Sequence, residues 1–296
     1  MGMITMEYQG ARMDIEELGA EMRGFRTADG REWGWRGDPQ SWKSSAPVLF
    51  PFIGALKNGG VTIDGTVYPM TRHGFAKFQR FTVYEQGEDF VTFLLTDNEE
   101  TRKIYPFAFA LTVTHRFLKN GFETRYTVES HTGRPMPFVI GGHPGFHCPM
   151  REGERFEDYV LHFEKPEAGK SLLCTEDTHL ISGETMDVDL GEDGRTLALD
   201  HRVFDRIDTY IFASLNSRWV ELIHKDTRKG LRLSFDMPVL AVWSMPGANA
   251  PYVCLEPWQG LPAQVNETGR FEDKPYQVTI GPGEAYSCGY RMEIVD

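Results

Sequence analysis

Between residues 109 and 128 the side chains alternate with a period of two. Phe109, Leu111, Val113, His115 and Phe117 occupy every second position, and after Lys119-Asn120-Gly121 the alternation resumes at Phe122, Thr124, Tyr126 and Val128. Successive strand residues point to opposite faces, so this spacing suits half-buried strands and not helices. Asn-Gly between two such runs is a hairpin signal. The pattern recurs along the chain. Phe81 and Val83 face Phe90 to Leu95 across Glu85-Gln86-Gly87-Glu88-Asp89. Val220 and Leu222 are predicted to pair with Leu231, Leu233 and Phe235, and Tyr286 to Ile294 forms a last alternating run. Many strands joined by Gly, Pro, Asn and Asp turns predict antiparallel sheets packed face to face.

Helical signals are sparse. Met13 to Met22 is predicted as a short helix weakened by Gly19, and Glu99 to Tyr105 as a single turn before Pro106. The segment from Arg151 to His201 is richer in charge and glycine and reads as loops and shorter strands of the same domain. With no internal repeat or low-complexity linker, the 296 residues are expected to form one large all-β domain, residues 1–296.

Composition excludes several partners. The formal net charge is −12, spread without long blocks of one sign, which argues against nucleic acid as a partner. Apolar runs fall short of a membrane span, and the N-terminal segment lacks the regions of a secretory signal, so a cytoplasmic protein is expected. Cys148, Cys174, Cys254 and Cys288 are widely spaced and form neither a disulfide framework nor a CxxC ligand pair. Walker, GxGxxG and GxSxG motifs are absent.

Three segments carry chemistry. Two histidines sit in glycine-tight settings, Arg72-His73-Gly74-Phe75 and Gly141-Gly142-His143-Pro144-Gly145-Phe146, and a carboxylate follows in Cys254-Leu255-Glu256-Pro257-Trp258. Glycine beside histidine permits close backbone approach, and proline after His143 and Glu256 biases both towards extended backbone, so all three are expected at strand ends or turns. Together they supply a general base, a general acid and an aromatic floor. Each has a plainer reading. His143 is one of nine histidines, Glu256 caps a turn or pairs with a cation, and Trp258 belongs to the core. His115, on the apolar face of its strand, reads as a core histidine. Arg72 could hold hydroxyls or a phosphate. Lys77, on the other side of the His73 turn, could do the same, although solvated surface charge is the plainer reading for it and for Arg80; Lys57 is a further basic candidate. His147, four residues after His143, offers weak support for a metal-dependent hydrolase built on His143, His147 and Glu256.

Pro47-Val48-Leu49-Phe50-Pro51-Phe52-Ile53-Gly54, His73-Gly74-Phe75-Ala76, the segment Gly141 to Pro149 and Cys254-Leu255-Glu256-Pro257-Trp258 resemble the aldose 1-epimerase (galactose mutarotase) superfamily, with bacterial LacX-like members the nearest branch. The resemblance covers residue 40 to the C-terminus and implies a β-supersandwich. It also implies an isomerase acting on an aldose or a sugar phosphate, with no cofactor and no metal; a monomer or homodimer is expected. In that scheme Glu256 is the base on the anomeric hydroxyl, His143 the acid on the ring oxygen, and His73 a second histidine that polarises the substrate. Asp208 matches an aspartate that binds sugar hydroxyls. Where many relatives carry arginine after the Phe-Pro segment this chain has Ala55, so Lys57 or Arg72 would have to compensate. A hexose-6-phosphate 1-epimerase and a non-catalytic sugar-binding protein are the alternative readings.

Overall fold

A computed structural model describes residues 2–296, and the predicted pairings are present. Strand Phe109–Leu118 pairs antiparallel with Gly121–Ser130, placing Val113 opposite Tyr126 and Leu111 opposite Val128. The alternating residues Phe109 to Phe117 and Phe122 to Val128 are buried because they share one face of the pleat. Leu222 faces Leu231 and Val220 faces Leu233, as the alternation requires.

These strands belong to a nine-stranded antiparallel sheet running from Thr196–Ala198 at one edge, through the long strand Ala285–Val295, to Thr82–Gln86 at the other. A second, eight-stranded sheet contains Lys170–Cys174, Thr209–Ala213, Val239–Trp243, Tyr252–Gln259, Ile140–Gly142 and Val48–Leu49, with Gly145–His147 pairing separately to Tyr252–Gln259. One core takes side chains from both: Val113, Tyr126, Leu222 and Met292 from the first, and Phe146, Ile211, Leu240 and Leu255 from the second. Burying two such sheets against each other supplies the main driving force for the fold. The architecture is an all-β sandwich. Among the described residues no helix is long and apolar enough to cross a membrane.

The N-terminal helix expected over Met13 to Met22 is not formed. Strands Ala11–Glu16 and Glu21–Arg26 occupy that stretch, in a three-stranded sheet with Met3–Tyr8. Met13 and Ile15 are spaced by two and both are fully buried, while Gly19 (φ 73°) and Ala20 (φ 49°) turn the chain between the strands. Core burial at period two overrides the modest helix propensity of the Glu and Leu residues there. The turn before Pro106 is present as helix Glu99–Ile104, capped by the Asn98 side chain. A second helix, His201–Ile207, carries no signal in the sequence reading, yet its C-terminus delivers Asp208.

Candidate active site

Glu256 lies inside strand Tyr252–Gln259, opposite Ala241 of Val239–Trp243, and not at a strand end as the following proline suggested. The following proline requires only extended backbone at Glu256, which a strand interior provides as well as a strand end. Period two puts Tyr252, Cys254, Glu256 and Trp258 on one face. His143 occupies the corner between Ile140–Gly142 and Gly145–His147, two short strands that both pair with the Glu256 strand. A hydrogen bond from Leu255 N to the Pro144 carbonyl (3.1 Å) locks that corner in place. The result is a contact of 3.2 Å between His143 Nε2 and Glu256 Oε2.

His73 reaches the same place from a turn. Its backbone is left-handed (φ 68°), an uncommon state for a residue with a Cβ. Gly54 holds it from two sides: His73 N donates to the Gly54 carbonyl (3.0 Å), and Gly54 N donates to His73 Nδ1 (3.1 Å). Because Nδ1 is an acceptor, the proton of the neutral ring sits on Nε2. The rings of His73 and His143 meet edge to face, centroids 5.8 Å apart.

These groups line a cavity of about 270 Å³ together with Trp42, Ser44, Arg72, Lys77, Cys174, His179, Asp208, Trp243 and Trp258. That is close to the lower end of typical ligand pockets, about 300 Å³, and suits one small molecule. Trp42 lies tilted against His143, centroids 4.9 Å apart with 30° between the planes, and Trp243 meets His143 edge-on at 5.6 Å. Asp208 caps the helix in a strained conformation (φ 63°, ψ −61°), its carboxylate accepting from Trp243 Nε1 (3.2 Å) and Thr209 Oγ1 (2.9 Å). Three buried polar atoms here have no aligned partner in the protein: His143 Nδ1, Glu256 Oε2 and Trp258 Nε1. Such atoms are costly to leave unpaired, and a bound ligand is one way to satisfy them.

Burial also reverses the usual charge preferences. It pushes the Glu256 carboxyl well above the usual range, with Asp208 adding to the rise and Arg72 opposing it. It drives His143 down to about 3 and holds His73 well below the ordinary histidine range, the cations Lys77 and Arg72 contributing to both. Burial in this site therefore favours neutral imidazoles at His73 and His143 and the protonated form of the Glu256 carboxyl.

A family model described as aldose 1-epimerase matches residues 2–293. The chain belongs to the aldose 1-epimerase family. The plasmid-encoded protein LacX of Lactococcus lactis subsp. lactis is 32% identical over 300 residues, covering 99% of each chain. Among solved structures, a galactose mutarotase-related enzyme of Lactobacillus acidophilus superposes with TM-score 0.91 at 29% identity, covering 100% of this chain and 98% of that one. A galactose mutarotase-like protein of Lactobacillus casei also reaches 0.91, at 31% identity, with 99% and 100% covered. The family membership supports a general aldose epimerase function and agrees with the all-β sandwich.

The fold thus gathers Glu256, His143, His73, Arg72, Asp208 and Trp258 around one cavity. Lys57 stays outside the lining, its ammonium donating to the Glu267 carbonyl (2.8 Å). Ala55 is also outside, with its carbonyl accepting from Ala263 N. Lys77 departs from the surface reading: it is half-buried in the cavity wall, and burial with nearby Arg72 lowers its pKa. Arg80 is exposed and pairs with Glu17 (2.9 Å). His147 lies against Trp35 (5.6 Å), away from the lining. Trp42 and Trp243, the aromatic walls, were not singled out from sequence; a tryptophan in Ser41-Trp42-Lys43 carries no periodic signal.

Proposed function

We propose that this protein interconverts the α and β anomers of an aldose by acid–base ring opening and closure. The 3.2 Å approach of His143 Nε2 to Glu256 Oε2, on the wall of a sugar-sized cavity, carries this reading. Mutarotation moves one proton from the anomeric hydroxyl and delivers another to the ring oxygen. Both oxygens are bonded to the same carbon, so the base and acid that serve them must be neighbours.

In the opening step the Glu256 carboxylate takes the O1 proton, the C1=O1 double bond forms, and the C1–O5 bond breaks. O5 receives its proton from His143, while the Nε2–H of His73 is available to polarise the substrate near that oxygen. Rotation about C1–C2 turns the other face of the aldehyde to O5. On closure O5 returns its proton to His143, and Glu256 gives one back to O1. Carboxylate with imidazolium and carboxylic acid with imidazole hold the same number of protons, so the pair passes from one arrangement to the other and back. Acid–base catalysis of this kind supplies about 10²–10⁴-fold. In this scheme Asp208 accepts from sugar hydroxyls and the cavity-lining Trp42 and Trp243 are the aromatic surfaces beside the ring, a reading supported by their shared place in the cavity wall.

Polarimetry on freshly dissolved α-anomers tests this. An accelerated approach to the equilibrium rotation supports the proposal, and rates equal to buffer for glucose, galactose and other aldoses oppose it.

A second reading narrows the substrate to an aldose with an anionic substituent such as a 6-phosphate. Its support is that Arg72 and Lys77 both line the cavity, and among the described residues neither forms an ion pair, in a chain of net charge −12. Arginine and lysine at such a position suit a phosphate. Comparing kcat/KM for an aldose and its 6-phosphate, in wild type and in Arg72→Gln and Lys77→Met, decides it: a preference for the phosphate that collapses in both variants favours the anionic substrate.

A further inference from the structure

We propose that His143, Cys254 and Glu256 form a site for a soft divalent cation, with Zn²⁺ the best chemical fit, and that its occupancy switches the enzyme off. The second half rests on the epimerase reading above; the binding half does not.

Cys254 has no part in the proton relay, yet it lies on the same strand face as Glu256, two residues away, and directly opposite Gly145 just after the His143 corner. One ligand atom from each of the three residues lies within 4.8 Å of the others, and His143 Nε2 to Glu256 Oε2 is already 3.2 Å. Zinc bonds of about 2.0–2.3 Å in a tetrahedron set ligand atoms roughly 3.3–3.8 Å apart, so side-chain shifts of about 1 Å complete the site. All three residues are buried, and Glu256 Oε2 has no aligned partner in the protein.

Charge and donor type select the ion. A thiolate, a carboxylate, a neutral imidazole and a dication sum to zero, which removes the main electrostatic penalty of burying them together. On binding, the Cys254 thiol proton and the Glu256 carboxyl proton pass to water, the imidazole binds neutral, and no electron is transferred. One carboxylate beside sulfur and nitrogen is a poor set for Mg²⁺ or Ca²⁺, which require six or more oxygens, and a good one for zinc. Because His143 and Glu256 face the cavity, the fourth coordination position opens to it, which gives the ion a route in. Occupancy removes the acid and the base together.

The test uses the full-length protein freed of metal. Co²⁺ is titrated as a spectroscopic probe, Zn²⁺ is titrated by calorimetry, and anomer exchange is followed in parallel. We expect one Co²⁺ per chain with a thiolate-to-cobalt absorption band, Zn²⁺ displacing it, and loss of exchange that a chelator restores. Cys254→Ser and Cys254→Ala, each checked for an unchanged unfolding transition, should lose the band and weaken Zn²⁺ binding at least tenfold while keeping exchange without metal. Absence of stoichiometric binding, or a band that persists in either variant, overturns the site. A thiolate band in a protein that turns over no aldose even without metal would keep the site and sink the epimerase reading instead.

Discussion

Gly54 and His73 clasp each other through two hydrogen bonds, Gly54 N to His73 Nδ1 and His73 N to the Gly54 carbonyl, at 3.1 and 3.0 Å. The clasp fixes which ring nitrogen of His73 carries the proton. It depends on Gly54 having no side chain: its φ is 67°, and a Cβ there would lie 2.5 Å from Pro262 Cγ. Gly54→Ala should therefore cost about 1–3 kcal/mol, read by urea unfolding, and lower kcat/KM through a displaced His73. Unchanged stability and activity would show that the clasp is not required.

His73 separates backbone strain from chemistry. Asparagine tolerates left-handed φ, and its side-chain oxygen can accept from Gly54, whereas a β-branched residue does neither. His73→Asn should keep the melting temperature and lower kcat about 10²-fold, the scale of removing one donor from a developing charge. His73→Val should lose activity and stability together. Equal melting temperatures for the two variants would contradict the strain argument.

In the proposed reaction Asp208 serves hydroxyl recognition and not proton transfer. Asp208→Asn should raise KM about tenfold and leave kcat nearly unchanged, the signature of lost uniform binding. A fall in kcat with constant KM would place Asp208 in the chemistry.

Acid sensitivity should come partly from the core. His115 is buried; in the neutral ring Nε2–H donates to the Ala20 carbonyl (2.9 Å) and Nδ1 accepts from Thr124 Oγ1 (3.0 Å). Burial lowers its pKa to about 4, with the Ala20 hydrogen bond opposing the shift. The unfolded chain takes up that proton first as pH falls below about 6.5, so stability is full above neutrality and is lost down to about pH 4. The complete effect is about 3 kcal/mol. Urea unfolding at pH 7.5 and pH 5 should show a smaller pH dependence in His115→Gln than in wild type. Identical pH dependences would refute it.

The sheets were readable because a strand leaves a period of two wherever one face is buried, as at Phe109 to Val128. The Met13 segment was misread because Glu16, Glu17, Leu18 and Glu21 carry local helix propensity, while the partner that buries Met13, Phe25, lies across a strand pairing. His73, His143 and Glu256 stood out through their glycine and proline neighbours, a local backbone signal. Trp42 and Trp243 left none: they reach the cavity through the approach of distant segments, which no single stretch of sequence encodes. Lys77 could be read two ways, because it flanks the His73 turn while a lysine on its own reads as solvated surface charge. Lys57 misled for the converse reason, since a lysine near a motif in sequence can be spent on a backbone carbonyl elsewhere.

Anomer exchange measured by NMR saturation transfer, in wild type and Glu256→Gln, tests the central claim most directly. The substitution keeps the shape of a buried side chain and removes its ability to take the O1 proton. The account predicts accelerated exchange of at least one aldose or aldose phosphate in wild type, and loss of that acceleration in Glu256→Gln with sugar binding retained. Exchange that survives Glu256→Gln, or sugar binding without acceleration in wild type, would contradict it, the latter pointing to a sugar-binding protein that has kept the cavity without the reaction.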